Sequence, residues 1–127
     1  MNNKIILVVD DDPEVRLALQ IRLGMKEYVT IFAADGAKAI AAVEKFSPDL
    51  ILLDIGLPST DGFGVLAGLE EQTNPTPVIV ISGRNMVPTR ERAMRAGAKA
   101  YLQKPVDNQH ILDTIRRVIG QEEEAKP

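Results

Sequence analysis

Four segments of this chain end on residues whose chemistry is complementary. The run Ile5–Val9 leads into Asp10, Asp11 and Asp12; 50–53 leads into Asp54; 78–81 leads into Ser82; and Ala100–Gln103 leads into Lys104. Carboxylates gathered at one crevice repel one another, since two unit charges ~4 Å apart cost roughly 4 kcal/mol at the effective dielectric of a protein surface. A hard divalent cation offsets this. Magnesium suits oxygen donors, is held by one or two carboxylates, and keeps water and phosphate oxygens in its shell. Counting Asp10, Asp11 and Asp54 as three negative charges, one such ion and Lys104 bring the site to neutrality. A carboxylate beside it is able to attack phosphorus and form an aspartyl phosphate, with metal and ammonium stabilising the transferred group. Asp54 is the candidate acceptor.

That chemistry requires the four segment ends to converge, and the apolar periodicity predicts how. Ile5–Val9 is a β-branched-rich run suited to a strand buried on both faces. Asp12, Pro13 and Glu14 then read as helix N-cap, first helical position and dipole-compensating acid, with Val15, Leu19 and Leu23 on the inner face and Gly24 as the stop. A strand around 28–32 precedes a helix entered at Asp35-Gly36, with Ala39, Ile40, Val43 and Phe46 on one face and Pro48 closing it. The strand 50–53 meets Asp54, and a loop with Pro58 leads to Asp61-Gly62, a turn and helix entry for Val65, Leu66 and Leu69. After the turn at 74–77 come strand 78–81, a helix over 88–96 stopped by Gly97, strand Ala100–Gln103, and a last helix bearing Ile111, Ile115, Val118 and Ile119 before Gly120.

The expected fold is therefore α/β: a doubly wound (βα)5 domain with a five-stranded parallel sheet, right-handed crossovers, strand order 2-1-3-4-5 and flavodoxin-like topology. In that topology ligands bind at the carboxyl ends of the strands, where strands 1 and 3 diverge. Residues 1–120 form the expected domain. Residues 121–127, with three consecutive glutamates and no large apolar side chain, read as a fraying helix end or the start of a linker.

Composition narrows the function classes. With 127 residues there is room for one compact core, and 45% hydrophobic with 26% charged residues is the balance of a globular chain. The net charge of −3 argues against direct nucleic-acid binding or attraction to anionic membranes. Absence of cysteine removes disulfides, thiolate metal sites and thiol nucleophiles, and a single histidine removes His-rich zinc sites. The first apolar run is too short for a signal-peptide core or a membrane span, so a cytoplasmic location is the default expectation.

Val8-Val9-Asp10-Asp11, Leu53-Asp54 with Pro58 and Asp61-Gly62 downstream, Ile81-Ser82-Gly83 and Lys104-Pro105 together resemble the receiver domain of bacterial two-component response regulators, over residues 4 to about 120. The resemblance implies Asp54 as phosphoryl acceptor, Asp11 as direct magnesium ligand, Asp10 as a ligand through water, and the Gly56 carbonyl completing the set. Manganese is able to replace magnesium. It further implies Ser82 and Lys104 on the phosphoryl oxygens, Ser82 and Tyr101 as switch residues, and a cis bond before Pro105. Gly56 and Arg84, two positions beyond the acceptor and the hydroxyl residue, occupy places that tune dephosphorylation in this family. The implied partners are a sensor histidine kinase or phosphotransfer protein, and downstream an effector domain, an effector protein or a second receiver. Such a domain is a signalling phosphoacceptor, catalysing only its own phosphorylation and dephosphorylation.

Other readings account for fewer residues. A haloacid dehalogenase-like phosphatase needs a second aspartate two places after the nucleophile, where Gly56 stands. A flavodoxin-type cofactor binder needs a first loop that cradles phosphate, whereas 10–12 repel it. A purely protein-binding receiver would not need all five chemical positions filled. Asp12 is assigned to capping, His110 to a solvated surface, and the arginines 90, 92 and 95 with Lys99 to a basic face on a helix poor in large apolar residues, hence loosely held.

Overall fold

A computed structural model describes residues 3–56, 61–72, 75–83 and 87–125. The strands are β1 (Ile5–Val9), β2 (Val29–Ala33), β3 (Leu50–Asp54), β4 (Val78–Ser82) and β5 (Ala100–Gln103). They alternate with α1 (Pro13–Met25), α2 (Gly36–Phe46), α3 (Gly62–Glu70), α4 (Val87–Arg95) and α5 (Asn108–Ala125). All neighbouring strands pair in parallel, in the order β2-β1-β3-β4-β5. The expected topology is the observed one.

Because successive side chains of a strand point to opposite faces, each central strand feeds two cores. Leu7, Val9, Ile51, Leu53, Val78 and Val80 face the side covered by Ala39 and Val43 of α2, Val65, Leu66 and Leu69 of α3, and Ala93 of α4. Ile6, Val8, Leu50, Leu52, Ile79 and Ile81 face the side covered by Leu19 and Leu23 of α1 and by Ile111, Ile115 and Val118 of α5. The register sets Val9 beside Leu53, Asp54 beside Ile81 and Ser82 beside Gln103. The segment ends therefore meet at one edge of the sheet.

Local chemistry explains the helix starts. Asp12 Oδ1 accepts from the Glu14 N–H at 2.9 Å ahead of Pro13, and Asp35 Oδ1 accepts from the Lys38 N–H at 2.9 Å. At Gly62 any side chain is excluded, since a Cβ there would stand 2.5 Å from the Ile55 Cα. Gly97 ends α4 with a φ of 110°, a conformation that favours glycine.

The ends of α1, α2 and α5 depart from the periodicity. Helix α1 continues past Gly24 to Met25, where the Lys26 N–H turns back to the carbonyls of Gly24 and Leu23. Phe46, read as part of an inner face, is 44% exposed at the end of α2, and Lys45 lies over its ring. Helix α5 passes through Gly120 to Ala125. An interior glycine costs only about 1 kcal/mol relative to alanine, and the glutamates that follow are good helix formers. Lys99 Nζ lies 3.6 Å from Glu122 and Lys4 Nζ lies 3.1 Å from Glu123, tying this extension to the body. No helix among the described residues is long and apolar enough to cross a membrane.

Candidate functional site

At the carboxyl edge, Asp54 closes β3, Asp10 follows β1 and Lys104 follows β5. Both carboxylates are buried, at 9% and 5% exposure. Lys104 Nζ donates to Asp54 Oδ2 at 2.6 Å and stands 3.5 Å from Asp10 Oδ2. Its position is fixed through the backbone, because the Lys104 N–H donates to the Ser82 carbonyl at 2.8 Å as β5 leaves the sheet. The peptide before Pro105 is cis, as the resemblance implied.

The remaining carboxylate oxygens are held by the loops. Asp54 Oδ1 accepts from the Gly56 N–H at 2.7 Å, and Asp10 Oδ1 accepts from the Asp12 N–H at 2.9 Å. Both contacts span two residues, the local turn chemistry that aspartate favours. Sequence reasoning assigned Gly56 through its carbonyl and missed its amide; aspartate two residues before glycine was the available signal. A Cβ at Gly56 would lie 3.3 Å from Asp54 Oδ1, so the glycine lets the loop lie close on the acceptor carboxylate.

Burial pushes the Asp10 carboxyl above its ordinary range, and the nearby Asp54 adds to the rise, against the Asp12 amide and Lys104, which lower it. Burial alone would lower the Lys104 ammonium, but the hydrogen bond and charge of Asp54, with Asp10 behind it, raise it overall. The site thus holds a lysine firmly charged beside two desolvated carboxyl groups.

Ser82 is fully buried at the end of β4, and Tyr101 is half-buried in β5, packed against the core on the α2/α3/α4 side. Asp11 is exposed next to Asp10, on the β1–α1 loop. Among the described residues no three acidic or histidine side chains form a group placed to hold a metal ion. Lys104 stands near both buried carboxylates instead. The donors of Asp10, Asp11, Asp54 and the Gly56 carbonyl are nevertheless all oxygen and carry more negative charge than Lys104 balances, which fits a hard divalent cation. Asp12 is the α1 cap, and the exposed His110 donates its backbone N–H to Asp107 at the start of α5. Arg84 and Pro58 lie outside the described residues.

A doubly wound parallel sheet with a buried aspartate pair and a lysine at its switch point defines the class of CheY-like signalling domains. Within that class the chain belongs to the family of response regulator receiver domains, whose model matches residues 6–116. It is 37% identical over 115 residues to the transcriptional regulatory protein KdpE of Mycobacterium tuberculosis, covering 91% of this chain and 50% of that one. It is 36% identical to the C4-dicarboxylate transport transcriptional regulatory protein DctD of Pseudomonas aeruginosa, covering 90% of this chain and 25% of that one. Among solved structures, a CheY-like receiver domain protein of Methanospirillum hungatei superposes with a TM-score of 0.91 at 27% identity, covering 98% of this chain and all of the other. NtrX of Brucella abortus matches with a TM-score of 0.89 at 30% identity, over 96% of this chain and 28% of that one. The chain spans about half the length, or less, of these curated relatives. It is a signalling domain of two-component systems.

Proposed function

We propose that Asp54 is the phosphoryl acceptor of this receiver domain, and that the contact of Lys104 Nζ with its carboxylate at 2.6 Å carries the reading. A carboxylate oxygen of Asp54 forms a bond to phosphorus as the bond from phosphorus to the donor breaks. The donor is the imidazole nitrogen of a phosphohistidine on a sensor histidine kinase or phosphotransfer protein, or the acyl oxygen of a small phosphodonor. The departing imidazole keeps its bonding pair and takes up a proton. Lys104 stabilises the charge on the phosphoryl oxygens.

Magnesium, with manganese as a substitute, would be held by Asp11 and Asp54 directly, by the Gly56 carbonyl, and by Asp10 through water; it supplies charge neutralisation for phosphoryl transfer. Ser82 donates to a phosphoryl oxygen once the aspartyl phosphate has formed, and Tyr101 follows into the space Ser82 leaves. The new charge at position 54 biases a pre-existing equilibrium on the face made by α4, β5 and α5. That face meets an effector domain, an effector protein or a second receiver. Gly56, lacking a side chain, and Arg84 set how readily water removes the phosphoryl group. The domain transforms no substrate other than its own acyl phosphate, and it works in the cytoplasm. Residues 1–120 make the receiver, and α5 carries on from it to Ala125.

Intact-mass spectrometry after incubation with acetyl phosphate tests the reading. One phosphoryl adduct is expected on the wild type with magnesium, and none with a chelator or on Asp54→Asn. An unmodified wild type beside a competent control receiver would leave a protein-binding module without phosphorylation.

A further inference from the structure

Helix α4 is held by little. Among its described side chains Ala93 alone is buried, and residues 90–92, 94 and 95 are exposed. Beside Ala93 in the core, Arg92 reaches across to α3: its guanidinium carbon lies 3.8 Å from the centroid of the Phe63 ring. Phe63 is the second residue of α3 and packs against the core on that face of the sheet. It directly follows Gly62, whose backbone is pressed onto Ile55 so closely that no side chain would fit between them. Ile55 in turn follows Asp54.

We propose that Phe63 and Arg92 form a clamp through which the phosphoacceptor end of β3 positions helix α4, with Arg92 as the positioning residue. The proposal rests on the reading of Asp54 as acceptor. The route has three short steps: Asp54 to Ile55 along the chain, Ile55 to Gly62 by backbone contact, and Phe63 to Arg92 by the stacked ring. The middle step has no flexible side chain to absorb a displacement, so a shift of Ile55 is passed to the first turn of α3. The last step is modest, since an exposed cation–π contact changes an opening equilibrium by about two- to fivefold. A contact of that size steadies the helix and still yields to the charge change at Asp54. It crosses the face of the sheet that Tyr101 also packs on, but reaches α4 through α3 and not along β4 and β5.

Amide hydrogen exchange on the whole chain tests the clamp, with and without beryllium fluoride and magnesium, using Arg92→Ala, Phe63→Leu, the double variant and Arg92→Lys. Arg92 is exposed, so its replacement leaves the core intact. In the free protein α4 amides should exchange about two- to fivefold faster in each single variant, with no further gain in the double, partial restoration by lysine, and β5 unchanged. On beryllium fluoride binding, followed separately by fluorine NMR, Arg92→Ala should lose at least half of the wild-type change in α4 exchange. Bound fluoride with a full α4 response in Arg92→Ala, or additive effects in the double variant, overturns the clamp. Failure of the wild type to bind fluoride counts against Asp54 as acceptor, while exchange in the free protein still decides whether Arg92 and Phe63 act together.

Discussion

Lys104 and Asp54 are 50 positions apart in the chain, yet the lysine Nζ donates to the aspartate Oδ2 at 2.6 Å, with Asp10 on its other side at 3.5 Å. One ammonium group thereby faces two buried carboxyl groups, and it lies where it would meet a phosphoryl oxygen attached to Asp54.

Replacing Lys104 by methionine keeps the stem and removes the charge. Phosphorylation by acetyl phosphate should slow by about 100-fold, the size expected for removing one oxyanion-stabilising donor. Stability in urea should fall by about 1–2 kcal/mol, less than for a fully buried pair because Lys104 is partly exposed. A rate within threefold of wild type would remove the lysine from the transfer step.

Asp10 gives a pH dependence of definite sign. Its carboxyl is raised by burial above the ordinary value of 3.8, so the folded state binds its proton more tightly than the unfolded chain does. The stability this contributes is fully present below 3.8 and is lost as pH rises through the raised value. Asp10→Asn should therefore melt higher than wild type at pH 7, and the difference should vanish near pH 3. A variant that melts lower at pH 7 would show that Lys104 and the Asp12 amide outweigh desolvation.

Asp11 and Asp12 are adjacent and are assigned opposite duties. Asp12→Ala should cost about 1 kcal/mol through loss of the α1 cap and leave the magnesium dependence of phosphorylation unchanged. Asp11→Asn should leave stability nearly unchanged and raise the magnesium concentration needed by about tenfold or more. Titrations giving the reverse pattern would exchange the two roles.

Gly62→Ala puts a methyl group 2.5 Å from the Ile55 Cα and 2.6 Å from its Cβ. The backbone must shift, at about 1–3 kcal/mol. Because Ile55 adjoins Asp54, the same variant should phosphorylate more slowly even where it is fully folded; normal kinetics would show that the α3 entry does not bear on the acceptor.

The sheet and the site's main residues were legible because they depend on local pattern. Apolar runs as continuous as Ile5–Val9 and Leu50–Asp54 suit only strands covered on both faces, and a parallel sheet brings their polar ends to one edge. Asp12-Pro13-Glu14 announced α1 by capping chemistry that needs no distant partner. What stayed hidden depends on contacts between elements. Phe63 and Arg92 meet only because α3 and α4 lie side by side, and nothing in either segment points to the other. Gly62 read as a turn residue, while its closer constraint comes from Ile55 across the loop. The passage of α5 through Gly120 depends on neighbouring helix formers and on the lysines that immediately precede β1 and β5.

Borohydride trapping measures the central claim most directly. An aspartyl phosphate is reduced to homoserine, which peptide mass spectrometry locates by position. After treatment with acetyl phosphate and magnesium, homoserine is predicted at position 54 of the wild type and nowhere in Asp54→Asn. Homoserine at position 10 or 11, or none in a protein that carries a phosphoryl adduct, would contradict Asp54 as the acceptor.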